Sequence, residues 1–239
     1  MTFDVGLPGA RAAFSTRQGG VSESPYDSLN LGVLTDDAEE RVVENRRRLA
    51  SRVGLDPAHV AMGWQVHGTD IAVWDSPPAA GRDGFASPGA QLSRVDAHTT
   101  SQHDLGLLVL VADCLPVALA GGGRVAMVHC GWRPLAGKII EKALELFHKP
   151  PAAAVGPGIG RCCYEVGPEV LEAFSDIDGV ANGRMLDLRA VVESKLRAGG
   201  VAEVEHVDLC TSCREDLFFS HRRDGGVTGR QSGVAWLTG

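Results

Sequence analysis

The 239-residue sequence is short of positive charge: 23 Lys and Arg stand against 30 Asp and Glu, a formal net charge of −7. Non-specific binding to nucleic acid or to an anionic membrane needs a basic footprint, so neither is expected. The run Arg46-Arg47-Arg48 reads as the solvated face of a helix. The start, MTFDVGLPGARAAF, lacks the basic segment and apolar core of a secretory leader. The most apolar stretch, residues 105–120, is broken by Asp113 and Pro116 and is too short and too polar to span a bilayer. A soluble cytoplasmic protein is the expectation, with six cysteines that are free, buried, metal-bound or reactive rather than paired. Repeats and low-complexity linkers are also missing. GPGIGR at 156–161 lacks the GxGxxG spacing of a dinucleotide loop, and no HxE precedes the CxxC as a zinc cytidine deaminase would require.

What is present is ordinary globular material, 44% hydrophobic and 22% charged. AAFST reads as a strand. TDDAEERVVENRRRLASRVG has an acidic first turn, apolar Val42, Leu49 and Val53 at helical spacing, and Gly54 as a stop. VAMGWQVHG and TDIAVW read as a strand pair turning at His67-Gly68-Thr69. LGLLVLVA and GRVAMVH are continuous apolar runs, expected as central strands buried on both faces. LAGKIIEKALELFH, PEVLEAF and LRAVVESKLRAGG read as helices, and AAAVGPGIG, EVEHVDL and SGVAWL supply strands. A Pro/Gly/Ser-rich loop is expected at 75–89. Strands and helices mix without a βαβ rhythm, which indicates α+β.

The chemistry gathers where strands end. His67 sits at the tight turn in WQVHGTD, while Cys114 and His129 stand at the ends of the two apolar runs. A rigid scaffold aims side chains at such places. Two imidazoles and a thiolate make a three-ligand set for zinc that leaves one position for water or substrate. The separations, 47 residues from His67 to Cys114 and 15 from Cys114 to His129, match no short metal motif. Spacing alone therefore leaves each residue open between ligand and ordinary buried group.

Cys210-Thr211-Ser212-Cys213 has CxxC spacing, a zinc half-site or a redox pair. A zinc ribbon needs a second such pair, and adjacent Cys162-Cys163 has the wrong spacing, so these four read as packing residues or incidental thiols. Arg17 lies in STRQGGVSES, where Gly19-Gly20 allow a sharp turn and backbone amides can face an anion. Arg133, Arg222 and Arg223 are further guanidinium candidates, with a surface salt bridge the plainer role of Arg223.

In order along the chain, STRQGGVSESPYDSLNLG, QVHGTD, VDAHTT, ADCLPV, VHCGWR, GPGIGRCCYEVG, LDL and CTSCREDLFFSHRRDGGVTGRQ resemble the bacterial laccase-domain family. Its members have been described as polyphenol oxidases, as purine nucleoside phosphorylases with adenosine deaminase activity, and as peptidoglycan-editing factors. The resemblance runs from residue 14 to 237. It implies a single α+β domain over 1–239, a sandwich of mixed sheets with flanking helices, related to cysteine–histidine hydrolase-like folds. It also implies that His67, Cys114 and His129 form a zinc-binding catalytic site, and that Arg17 and Asn30 contact substrate or phosphate. Two positions depart from the pattern: HAGWRG reads HCGWRP here, with Cys130 expected to point away from His129 and Pro134 unable to donate an amide to an anion. His98 in VDAHTT is a further pocket candidate.

The expected activity is phosphorolysis of adenosine, inosine or methylthioadenosine, with deamination of adenosine through a zinc-activated water. The substrates are then a small nucleoside and phosphate, and the protein a monomer or weak homodimer. The alternative keeps Cys114 as a nucleophile with a His base, suited to amide hydrolysis in peptidoglycan precursors. Copper-dependent phenol oxidation ranks below both, because a multicopper site wants more histidines than the eight present. A structural-zinc scaffold would need a fourth protein ligand.

Overall fold

The computed structural model describes residues 1–79, 84–86 and 92–239. The chain opens with β1 (Thr2–Leu7), β2 (Ala10–Ser15), α1 (Glu39–Val53), β3 (Val60–Ala61) and β4 (Ile71–Trp74). β5 (Ala97–Thr100), β6 (Gly106–Val111), β7 (Leu115–Gly121), β8 (Arg124–Cys130), α2 (Trp132–Ala136), α3 (Ile139–Leu144) and β9 (Ala152–Val155) follow. The last third holds α4 (Pro168–Glu172), β10 (Ala181–Asn182), β11 (Met185–Leu186), α5 (Leu188–Ala198), β12 (Val204–His206) and β13 (Gln231–Leu237).

Two mixed sheets form the body. One has the order β1-β2-β13-β6-β3 and the other β12-β9-β7-β8-β5-β4; β10 and β11 make a separate small ribbon. Side-chain alternation shows how the layers stack. Phe14, Leu107, Val109 and Ala235 of the first sheet share a core with Ala118, Ala120, Val125 and Met127 of the second. The opposite face of the second sheet, through Leu115, Val117, Leu119, Ala126 and Val128, packs on α2, α3, α4 and α5. The opposite face of the first, through Ala13, Leu108, Val234 and Trp236, packs on Leu49 and Ala50 of α1. The result is an α+β sandwich of four layers, helix, sheet, sheet, helix. Strands covered on both faces need apolar residues at every position, which is why β6 and β8 read as unbroken apolar runs.

Two details differ from the sequence reading. Residues 60–74 are no hairpin: β3 pairs in parallel with β6 in one sheet, and β4 pairs in parallel with β5 in the other. The segment between them crosses from sheet to sheet, tied by Gln65, whose side chain accepts from Leu110 N at 2.7 Å and donates to Leu110 O at 2.8 Å. The helix expected over LAGKIIEKALELFH is broken by Lys138 at φ +68°, so α2 and α3 are separate short pieces. The loop expected at 75–89 falls partly outside the described residues. Helix α1 does end as expected, on Gly54 at φ +76°.

Phe14 fills the seam between the sheets, 1% exposed, with its ring seated on Gly156, where an added Cβ would come within 2.4 Å of the ring. Phe14→Ala is expected to lower stability by roughly 3–5 kcal/mol, read as a shift of the urea unfolding midpoint at unchanged slope.

Candidate metal centre and substrate cleft

Asp96 stands just before β5, wholly buried. Its carboxylate accepts from three successive backbone amides, Val66 N at 3.0 Å, His67 N at 3.0 Å and Gly68 N at 2.7 Å. Three amides converging on one anion fold the crossing segment into a tight turn and hold His67 at φ +56°. The same carboxylate takes the Nδ1–H of His129 at 2.8 Å, which leaves His129 Nε2 to face the site. Backbone bonds from Asp96 N to Asp70 O and from His129 N to Asp96 O fix the carboxylate itself. Burial alone would raise its pKa, but His129 and the amides outweigh burial and hold it below the ordinary carboxylate value.

Cys114 and His129 meet through strand register. β7 and β8 are antiparallel with Leu115 opposite Cys130 and Pro116 opposite His129. Cys114 therefore shares a face with Pro116 and so with His129, as diagonal neighbours. Leu115 and Cys130 point the other way, into the core beneath the helices. The residue before the thiol, Asp113, sits at φ +89°, and its carboxylate accepts from Thr211 Oγ1 at 2.6 Å and Arg222 N at 2.7 Å. It is a clamp joining the end of β6 to the C-terminal loops.

The ligand atoms of His67, Cys114 and His129 lie within 4.8 Å of one another, with His67 Nε2 3.9 Å from Cys114 Sγ. Ligands on a tetrahedral ion with bonds of about 2.0–2.3 Å stand about 3.6 Å apart, so the donor set fits one metal ion. The His67 and His129 rings meet edge to face at 4.9 Å. Gly131 completes the cradle: a Cβ there would stand 3.0 Å from Cys114 Sγ and 3.1 Å from His67 Cδ2. Burial opposes the charged forms of both Cys114 and His129. Their attraction for each other is stronger, aided by Asp96 and His67, so the thiol is held down at about 6 and the imidazole up at about 9. Metal-free, the pair is a thiolate beside an imidazolium.

The trio opens into a cleft of about 520 Å³. Met62, Trp64, Leu110, Ile159 and Leu188 give it apolar walls, while Arg46, Arg222, Arg230 and Tyr164 supply polar groups. Burial lowers the pKa of Arg46 to about 10, and its Nη2 is buried with no hydrogen-bond partner. Arg222 lies over the Tyr164 ring at 5.3 Å. The Tyr164 hydroxyl, raised by burial and then by the Cys114 charge to about 12, stays a donor at neutral pH.

Arg17 and Asn30 are placed differently. Arg17 gives Nε–H to Asp27 O at 2.6 Å, pairs with the Asp27 carboxylate at 3.3 Å and covers the Phe219 ring; it does not line the cleft. Asn30, fully buried, accepts from Gly32 N at 3.0 Å and Arg230 N at 2.9 Å, so it reaches the cleft through two residues that line it. His98 is also fully buried, accepts from Trp74 Nε1 at 3.2 Å and lies outside the cleft wall. Arg133 stacks on Trp132 at 4.3 Å. Arg223 pairs with Asp224 at 2.7 Å and braces Thr211 O and Phe218 O, a more embedded role than a surface salt bridge. Arg46, read with Arg47 and Arg48 as a solvated helix face, is instead 2% exposed and lines the cleft. Asp113 was noted in the sequence only for interrupting an apolar run, and Asp96 and Arg230 were not singled out. VDAHTT was, but the acid that matters precedes its histidine by two. The four cysteines read as incidental prove to be neighbours, with their sulfurs within 4.8 Å of one another.

A family described as multi-copper polyphenol oxidoreductase laccase matches residues 11–238. Purine nucleoside phosphorylase YfiH of Shigella flexneri is 36% identical over 242 residues, covering 96% of this chain and 94% of that protein. A purine nucleoside phosphorylase of Corynebacterium glutamicum is 38% identical over 244 residues, covering 95% and 94%. The crystal structure of Bacillus licheniformis hypothetical protein YfiH superposes with a TM-score of 0.88 at 30% identity, over 96% of this chain and 93% of that one.

Two outcomes follow from the geometry. In metal-free protein, iodoacetamide should alkylate Cys114 with a rate that rises through about pH 6 and levels above it, because the reactive thiolate is already formed there. In His129→Ala that inflection should move up, since burial is then opposed by His67 without His129; an unmoved inflection would show that His129 does not set it. Asp96→Asn removes the charge behind His129 and half the acceptor capacity behind the turn. It should weaken Zn²⁺ binding roughly 10–100-fold, measured by competition with a chromophoric chelator.

Proposed function

The chain belongs to the family described as multi-copper polyphenol oxidoreductase laccase, and within it we propose that this protein is a zinc-dependent purine nucleoside phosphorylase acting at His67, Cys114 and His129. Adenosine, inosine or methylthioadenosine is the nucleoside, and deamination of adenosine is a second activity of the same site. One observation carries the reading: a compact His₂Cys donor set opens into an apolar cleft whose walls carry three guanidinium groups, in a protein of net negative charge. That combination suits a flat, weakly polar base together with an anion.

In phosphorolysis an oxygen of hydrogen phosphate bonds to the ribose C1′ as the C1′–N9 bond breaks. The electron pair of that bond leaves with the purine, and the proton carried by the phosphate ends on the purine ring. Arg222 and Arg230 hold and orient the phosphate, with Asn30 acting through the Arg230 amide and Arg46 Nη2 offering a further donor. Arg17 is committed to Asp27 and backbone carbonyls and acts at a distance, if at all, through the loop it braces. Trp64, Leu110 and Ile159 give the base apolar surface, and the Tyr164 hydroxyl is a donor for a ring nitrogen. Asp96 orients the His129 imidazole and fixes the backbone turn that carries His67. His67, Cys114 and His129 would hold the zinc ion, which when bound would supply Lewis-acid polarisation to the substrate.

A second reading rests on a specific contact. Cys114, His129 and Asp96 follow one another as thiolate, imidazolium and buried carboxylate, the order of a nucleophilic triad. Without metal the same three residues suit amide hydrolysis, including editing of peptidoglycan precursors. Copper oxidation is less well served: among the described residues the one cluster containing histidine has two of them, too few for several coppers.

Adenosine incubated with metal-quantified protein should give adenine and ribose 1-phosphate only when phosphate is present, and Cys114→Ala should abolish both. Arg230→Gln should raise the KM for phosphate roughly 10–100-fold, the value of a lost charge-assisted hydrogen bond. Inosine alone as product would replace phosphorolysis by deamination. No turnover of any purine nucleoside by zinc-loaded protein would overturn the proposal and leave the amide-hydrolase reading.

A further inference from the structure

Cys162, Cys163, Cys210 and Cys213 lie away from the cleft and have no part in the chemistry above. Two tight turns bring them together. In one, Cys163 N and Tyr164 N both bond Gly160 O; in the other, Arg214 N bonds Cys210 O. A parallel bridge between Gly158 and Cys210 and a bond from Thr211 N to Gly158 O lock the turns side by side. Each turn thus presents two thiols to the other. Cys213 Sγ is 3.4 Å from Cys162 Sγ and 3.3 Å from Cys163 Sγ, and all four sulfurs fall within 4.8 Å of one another.

We propose that these four cysteines form a second metal site, a structural tetrathiolate that binds one zinc ion. Four sulfurs bonded to zinc at about 2.3 Å stand about 3.8 Å apart; Cys213 Sγ lies a few tenths of an ångström inside that spacing from Cys162 and Cys163, and no two of the four sulfurs are more than 4.8 Å apart. Sulfurs all within 4.8 Å of one another leave room for a single ion between them. Four thiolates and no open position make it a closed site, which builds structure rather than chemistry. The surroundings suit thiolate ligands. Gly160 N donates to Cys210 Sγ at 3.2 Å, a bond that stabilises charge on sulfur, and a Cβ at Gly160 would stand 3.3 Å from both Cys162 Sγ and Cys210 Sγ. Each thiol gives up its proton to solvent as it binds the ion.

The site has a use in the fold. Ile159 and Tyr164, on either side of the first turn, line the substrate cleft. Thr211, in the second turn, bonds the Asp113 carboxylate, next to Cys114. A metal that staples the turns together fixes one wall of the cleft. Its loss should lower stability and loosen that wall while leaving the His67, Cys114 and His129 donors in place.

The test is cobalt titration of reduced, chelator-treated full-length protein. Cys114→Ala removes the only other thiolate centre among the described residues, so thiolate-to-cobalt charge-transfer absorption in that variant reports the four cysteines alone. One full equivalent of Co²⁺ should give that absorption in Cys114→Ala, zinc should displace it, and adding Cys210→Ser or Cys213→Ser should remove it. Cys114→Ala protein purified without chelator should carry one equivalent of zinc. The proposal is overturned if Cys114→Ala shows no such absorption, if the absorption survives Cys213→Ser, or if mass spectrometry finds the four cysteines paired as disulfides in fresh reduced-handled protein. Should the serine variants fail to fold by circular dichroism, the zinc content of Cys114→Ala decides: protein without zinc overturns the proposal. None of these readouts depends on nucleoside turnover.

Discussion

The Asp96 carboxylate is the interaction on which the site depends. A buried anion is costly unless several donors surround it, and here the donors are the groups whose positions matter: the three amides that shape the His67 turn and the Nδ1–H of His129. One buried charge thereby fixes a turn in one crossing segment and a tautomer on a strand of the other chain region. Remove it and four donors lose their partner at once. The His67 conformation, at positive φ without glycine, persists because those amides over-determine it.

Strand parity does the remaining placement. Because β7 and β8 are antiparallel in a fixed register, Cys114 and His129 project toward the space between the sheets while Cys130, one residue on, projects into the helical side. A slip of one residue would exchange them. The sandwich core fills the seam along most of its length, with Phe14 on Gly156 and the backbone of Gly233 against Pro116. The reactive groups emerge where that core ends. A thiolate and an imidazolium held together at such an edge are ready either to share a metal ion or to act as nucleophile and acid, and the same geometry underlies both functional readings.

Charge is distributed against the overall balance. The molecule is acidic, yet Arg46, Arg222 and Arg230 line the cleft, and the carboxylate next to the thiol in sequence, Asp113, is spent on Thr211 and Arg222 N. Low-dielectric walls strengthen the field of those guanidinium groups on an anion entering the cleft. The loops that carry two of these arginines are braced by Arg223 and Asp224 and by the turns bearing the four cysteines, so the cleft wall is tied to elements distant in sequence.

Much of this was legible in the chain by itself. Continuous apolar runs marked β6 and β8 as doubly covered strands, the acidic start and Gly54 delimited α1, and His67, Cys114 and His129 stood out because each ends a run or fills a turn. Local pattern carries such information, since burial and turn geometry act on neighbours in sequence. The tertiary structure decided what depends on partners far along the chain. It divided residues 60–74 between two sheets, because β3 and β4 find their partners in β6 and β5 rather than in each other. It made Asp96 the hub, because a carboxylate's value lies in donors that come from 28 to 33 residues away. It also gathered Cys162 and Cys163 with Cys210 and Cys213: spacing argued against the group, but ligand geometry is set by the distance between sulfurs in space, which two crossed turns supply and sequence separation does not record.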